Sequence, residues 1–98
     1  LYVEDGAKAL VKSLNLNDGS YLFNVGINKG SSINEISDMI SHAFGWDGDF
    51  VYDSSKPDGV MKKTVNGEYG KRLLDWAPEV KLNDGIKKTV DWYIKNYE

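Results

Sequence analysis

The stretch SINEISDMISHAFG, residues 32–45, carries the strongest helix signal in the sequence. Ser32 and Glu35 are spaced as a capping box, in which each side chain accepts a hydrogen bond from a free backbone N–H group of the first turn. Apolar residues follow at helical intervals, and Gly45 is typical of the residue that ends a helix. The apolar stripe of this predicted helix consists of Ile33, Ile36, Ile40, Ala43 and Phe44.

Helical patterns also lie near both ends of the chain. Before residue 32, Ala7, Leu10, Val11 and Leu14 predict a short helix that Glu4 or Asp5 could cap. After it, residues 71–76 predict one or two helical turns that end before Pro78, and Asn83 is expected to cap a last helix. The residues that share one face of this last helix are Ile86, Val90, Tyr93, Ile94 and Tyr97.

In two short segments between the helices, successive side chains alternate between two faces as they do in strands. Residues 21–25 place Tyr21, Phe23 and Val25 opposite Leu22 and Asn24, and residues 50–52 form a second apolar run. The sequence therefore predicts an α/β fold, a small helix-rich lobe with two or three short strands. Because two short strands make a poor independent sheet, we expect the chain to be part of something larger.

Length and composition predict one globular domain, residues 1–98, with 41% hydrophobic and 28% charged residues. The sequence has no cysteine and one histidine, His42, which excludes disulfides, thiolate metal sites and multi-histidine sites. A net charge of −3 argues against nucleic acid as a partner. No segment is long and apolar enough to span a membrane, so we expect a soluble cytoplasmic protein.

A lysine-rich loop follows the second predicted strand and reads DSSKPDGVMKK, residues 53–63. Pro57 and Gly59 favour a shaped turn over a helix. The lysines could offer point charges to a phosphate, a diphosphate or a carboxylate, and Asp58 could accept from a sugar hydroxyl. Composition alone favours a solvated charged turn, because charged residues mostly lie in water.

Three other features resemble catalytic or nucleotide motifs only superficially. The glycine loop at residues 26–32 precedes a helix, but Lys29 stands before the second glycine, unlike the order in phosphate loops. Tyr52 and Lys56 form a formal Tyr-x-x-x-Lys pair, yet Pro57 disfavours the helix that would align them. His42 has no partner at a fixed spacing, so a surface position is the simpler interpretation.

Taken in order, the segments resemble the C-terminal part of the extended short-chain dehydrogenase/reductase family, and most closely the GDP-L-fucose synthases. The beginning Leu1-Tyr2-Val3-Glu4-Asp5 is similar to the family's Val-Asp-Asp helix start, and Phe23-Asn24-Val25-Gly26 to its Asn-Val-Gly motif. More specific are Ser55-Lys56-Pro57-Asp58-Gly59 with Lys62-Lys63, and Leu74-Asp75-Trp76-Ala77-Pro78. The resemblance covers nearly the whole chain.

This resemblance implies a substrate domain that holds a GDP-sugar against a larger, Rossmann-type cofactor domain. In the family, that larger domain binds NADP and carries the catalytic residues, so the resemblance implies no catalytic residue and no bound cofactor in this chain. The substrate-binding residues that it implies are Lys56, Asp58, Lys62 and Lys63, with Lys63 in the nucleotide pocket.

Two hypotheses follow for the function. The first is a GDP-sugar-binding domain of a fucose-synthase-like NADP-dependent 3,5-epimerase/4-reductase, inactive on its own and completed by the missing cofactor domain. The alternative is a non-catalytic interaction or oligomerisation module derived from that domain, which could form a homodimer.

Overall fold

The computed structural model describes all residues 1–98 and contains four helices and no strand. The helices are α1 (Val3–Ser13), α2 (Ile33–Phe44), α3 (Glu68–Leu74) and α4 (Leu82–Tyr97). The predicted α/β fold with two or three short strands is therefore wrong, and the part of the prediction that holds is a small helix-rich domain. None of the four helices combines the length and apolar composition needed to cross a bilayer.

The two predicted strands fail because their backbones have no partner. No backbone–backbone hydrogen bond involves residues 21–25 or 50–52. Their side chains nevertheless alternate, since Leu22 and Val51 are 92% and 93% exposed whereas Tyr21 and Phe50 are each 41% exposed. Period-two alternation describes the side chains, but a strand also needs a neighbouring ladder, and no second segment of this chain supplies one.

Helix α2 begins and ends where the sequence predicts, after Ser32 and before Gly45. The Ser32 hydroxyl accepts a hydrogen bond from the Glu35 backbone N–H at 3.1 Å, and the Glu35 carboxylate accepts one from the Ser32 N–H at 2.7 Å. At the other end, Gly45 takes the left-handed conformation with φ 67°. These local hydrogen bonds satisfy backbone groups that the helix leaves free, so the sequence was sufficient to place this helix.

The ends of the other helices differ from the prediction. Helix α1 begins after Tyr2 without a side-chain cap, and both Glu4 and Asp5 lie in its first turn. The side chain of Asp5 is buried. Helix α4 follows Lys81, so Asn83 lies in its first turn and is not the cap. Helix α3 begins at Glu68, earlier than predicted, and ends at Leu74. The next residue, Asp75, is the one non-glycine residue with positive φ.

The core of the chain is small and lies between α1, α3 and the segment that follows α3. Ala9, Leu74 and Trp76 are buried together, with Leu16 and Phe23 packed against them. Helix α3 contacts residues 21–25 directly, because a Cβ on Gly70 would collide with the carbonyl of Asn24. Separately, α2 packs on α4, where Phe44 meets Tyr93 edge to face at 5.9 Å.

The chain exposes more surface than a self-contained domain of its size. Its accessible surface is 8120 Å², about 2,500 Å² more than the roughly 5,600 Å² typical of a folded monomer of this mass. Its radius of gyration is 16.8 Å, against about 13 Å for a compact chain of 100 residues. Large apolar side chains of α1, among them Val3, Leu10 and Val11, therefore face solvent.

A buried carboxylate ties the first helix to the segment that leads into the last one. Asp5 is 0% exposed, and its Oδ2 accepts hydrogen bonds from the backbone N–H groups of Glu79 at 3.1 Å and Val80 at 2.9 Å. The other carboxylate oxygen, Oδ1, and the indole Nε1 of Trp76 are buried without a protein partner.

Replacing Asp5 is expected to cost stability through these two bonds. Asp5→Ala leaves two partly buried N–H groups without an acceptor, so we expect a loss of about 2 to 3 kcal/mol in the free energy of unfolding. Asp5→Asn keeps an acceptor oxygen and is expected to lose less. Urea denaturation followed by tryptophan fluorescence measures both, with the exposed Asp18→Ala as control. Equal midpoints for Asp5→Ala and Asp18→Ala would contradict this role.

Candidate functional site

The lysine-rich loop, residues 53–63, is a surface segment whose first turn is fixed by Asp53. The Oδ1 of Asp53 accepts a hydrogen bond from the Ser55 backbone N–H at 3.0 Å and another from the Ser55 hydroxyl at 2.5 Å. The Lys56 N–H donates to the Asp53 carbonyl at 3.4 Å. This is an Asx turn closed by an i to i+3 backbone bond, so the side chain of Asp53 sets the direction in which the loop leaves Tyr52.

All four predicted binding residues lie exposed on this loop, and their charges are free. Neither Lys56, Lys62 nor Lys63 forms an ion pair, since the two salt bridges of the chain join Lys8 to Glu79 and Lys71 to Glu68. Asp58 makes no side-chain hydrogen bond. The loop brings the four residues onto one segment, but neither of the two main cavities is lined by any of them.

The pKa of Asp53 is lowered from its ordinary value of 3.8, because the Ser55 hydroxyl and then the Ser55 backbone N–H donate to the ionised carboxylate. Both bonds favour the charged form. The turn is therefore stabilised above pH 3.8, and this contribution is lost as the pH falls through the lowered pKa.

The glycine loop at residues 26–32 is explained by close packing. A Cβ on Gly26 would lie 2.5 Å from the Val65 side chain, and one on Gly30 would lie 2.8 Å from that of Thr64. Asn28 in the same loop accepts a hydrogen bond from the Gly67 N–H at 2.7 Å and donates to Glu68. These contacts hold the loop against the start of α3, and the glycines permit the close approach.

The Tyr52/Lys56 pair and His42, the two other features that resemble catalytic motifs, do not have the geometry of a catalytic site. Residues 52–56 lie outside any helix, and the Tyr52 ring stacks on Phe50 with 6.2 Å between ring centroids. His42 is exposed on α2, and its side chain makes no hydrogen bond. No group of three or more potential metal-ligating side chains comes together in the chain.

Sequence reasoning missed two concave surfaces. The larger, about 680 Å³, is an apolar groove between the start of α1 and the first half of α4, where Tyr2 packs on Gly85. The smaller, about 420 Å³, lies between α2 and the side chains of Trp46 and Phe50. Gly48, two residues after Trp46, was the available signal for the second, because a glycine beside an aromatic residue often permits close ring–backbone packing.

Comparisons with curated proteins find relatives that match nearly the whole length of this chain. It is 34% identical over 96 residues, 98% of its length, to GDP-L-fucose synthase 1 of Arabidopsis thaliana, and 32% identical over its full length to GDP-L-fucose synthase of Azorhizobium caulinodans. A putative UDP-glucose 4-epimerase of Methanocaldococcus jannaschii is 34% identical over 96 residues. No protein-family profile and no solved structure matches the chain.

The resemblance to the GDP-L-fucose synthases is thus confirmed: the chain is homologous to the C-terminal part of these proteins. It spans 29% to 31% of the length of the relatives named above.

The Asx turn gives a testable pH dependence. Protonation of Asp53 removes the acceptor for both Ser55 bonds, so the Ser55 amide proton resonance is expected to titrate with a midpoint below 3.8. Two-dimensional NMR between pH 2 and 6 measures this midpoint. A midpoint at or above 3.8 would show that the turn does not hold the carboxylate.

Proposed function

We propose that this chain is the GDP-sugar-binding domain of a fucose-synthase-like, NADP-dependent 3,5-epimerase/4-reductase, and that it has no catalytic activity on its own. The observation that carries the proposal is the lysine loop, whose three ammonium groups are exposed and unpaired. The names of its relatives, GDP-L-fucose synthases, support the choice of ligand.

The charge on the loop suits a diphosphate. The chain as a whole has a net charge of −3, so three free lysines on one segment are a local reversal of charge. Lysine acts as a flexible point charge, and its contacts with phosphate oxygens are charge-assisted. Asp58 would be repelled by the phosphates, and in this proposal it accepts from a sugar hydroxyl beyond them.

The cofactor would be bound elsewhere. The glycine loop at residues 26–32 leaves little room for a dinucleotide, because Gly26 and Gly30 lie against the side chains of Val65 and Thr64. The excess surface of about 2,500 Å² is also of the size that an obligate interface covers. In this proposal a Rossmann-type domain, of the kind expected for the part of the relatives that this chain does not match, covers that surface and binds NADP.

Loss of Lys63 is expected to weaken nucleotide binding. We expect Lys63→Ala to bind GDP about tenfold more weakly than the unaltered chain, because one charge-assisted contact is lost. Lys95→Ala, an exposed lysine on α4, is the matched control and is expected to leave the affinity unchanged. Isothermal titration with GDP measures all three; identical affinities for Lys63→Ala and the unaltered chain would remove Lys63 from the site.

The alternative, a self-associating module, is favoured by one observation, the exposed apolar face of α1. If this face pairs with a second copy, sedimentation equilibrium is expected to show a dimer that Leu10→Lys dissociates, because a buried lysine in the interface is costly. The exposed Asn15→Lys adds the same charge outside that helix and serves as control. A monomer at all concentrations that binds GDP would exclude this alternative.

A further inference from the structure

We propose that the core of this chain binds one buried water molecule, which accepts a hydrogen bond from the indole Nε1 of Trp76 and donates one to the Oδ1 of Asp5. Both of these atoms are buried without a protein partner. Neither residue belongs to the lysine loop, so this water site is independent of the proposed function.

The two side chains are among the most deeply buried in the chain. Asp5 is 0% exposed and Trp76 is 6% exposed. A polar atom that is shut off from solvent loses its hydrogen bonds to bulk water, and leaving it unpaired costs free energy. Nearly all such atoms in folded proteins therefore have a partner, which is an ordered water where no protein group is in reach.

Two connections bring the unpaired atoms into the same part of the core. The Oδ2 of Asp5 accepts from the N–H groups of Glu79 and Val80. Glu79 follows Trp76 by three residues, so their Cα atoms are at most about 11 Å apart. In α1, Ala9 lies one turn after Asp5 and belongs to the same buried cluster as Trp76. The carboxyl group and the indole are therefore held close to each other from two directions.

The chemistry of the two atoms selects water as the ligand. The indole Nε1 can only donate, and the carboxyl oxygen Oδ1 can accept. The two atoms do not bond to each other directly. Water accepts through its oxygen and donates through its hydrogens, and it can bridge atoms up to about 6 Å apart because each of its bonds is about 3 Å long. A metal cation could not accept the indole proton. The other side chains of the core are apolar and offer neither atom a partner, namely Ala9, Leu16, Phe23 and Leu74.

The bridge gives each oxygen of Asp5 a separate role. Oδ2 joins the first turn of α1 to the backbone of Glu79 and Val80. Oδ1, through the water, holds the indole of Trp76 in one orientation within the core. The carboxyl group thus connects α1 both to the backbone before α4 and to the aromatic side chain on which the core packs.

Water-selective NMR spectroscopy of the ¹⁵N-labelled chain tests the Trp76 end of the bridge. The three tryptophans, Trp46, Trp76 and Trp92, each have one indole N–H signal. Laboratory-frame and rotating-frame Overhauser cross-peaks between water and the Trp76 indole proton are expected to have opposite signs, which is the signature of a long-lived bound water. Trp46 and Trp92 are 48% and 56% exposed and are expected to lack this pattern. Its absence at Trp76 would overturn the proposal.

Two variants at neighbouring acidic residues test the Asp5 end. Asp5→Leu replaces the carboxyl group by an apolar group of the same branched shape, and we expect it to abolish the water cross-peaks of Trp76 and to shift its indole signal. Glu4→Leu makes the same change at the exposed preceding residue and is expected to leave both unchanged. Unaltered cross-peaks at Trp76 in a folded Asp5→Leu variant would show that Asp5 does not hold the water.

A crystal structure of the unaltered chain gives a readout that does not depend on the folding of a variant. We expect an electron-density peak for a water within about 3.2 Å of both the Asp5 Oδ1 and the Trp76 Nε1. A direct bond between these two atoms, or a water bonded to only one of them, would contradict the bridge.

Discussion

The carboxylate of Asp5 is the interaction on which the tertiary arrangement depends most. It joins the first turn of α1 to Glu79 and Val80, more than seventy residues later, and so closes the chain between its two ends. This polar side chain has no exposure and is tolerated because two backbone N–H groups donate to one of its oxygens. With the two ends of the chain joined in this way, Ala9 packs with Leu74 and Trp76 in the small core.

Outside that closure, the chain is held together by few contacts. Only 9 of 98 residues are buried, and the pairing of α2 with α4 relies on half-exposed aromatic rings such as Phe44 and Tyr93. An open arrangement of this kind leaves large apolar side chains in contact with solvent. The chain spans about 30% of the length of the GDP-L-fucose synthases that it matches.

The candidate binding residues lie on a segment that is fixed only at its start. The lysine loop is charged and solvent-exposed, and one Asx turn at Asp53 orients its beginning. The segment before the loop is held more firmly, because the Trp46 backbone N–H donates to the Ser41 carbonyl and the indole packs on Gly48. Lysine side chains are flexible point charges, so the geometry of this loop does not depend on where their ammonium groups lie.

The sequence by itself determined the features that depend on neighbours along the chain. It placed α2 with both ends, because Ser32, Glu35 and Gly45 act on backbone groups within one turn of themselves. It also identified the turn-forming character of residues 53–63 and the resemblance to GDP-L-fucose synthases. Only the tertiary structure decided that residues 21–25 and 50–52 lack ladders, that Asp5 is a buried acceptor rather than a cap, and that Trp46 lies over Gly48. Each of these outcomes depends on contacts with backbone groups, which the local residue pattern does not specify. The two segments have no strand partner, Asp5 bonds to N–H groups far along the chain, and the glycine beside Trp46 leaves room for its ring.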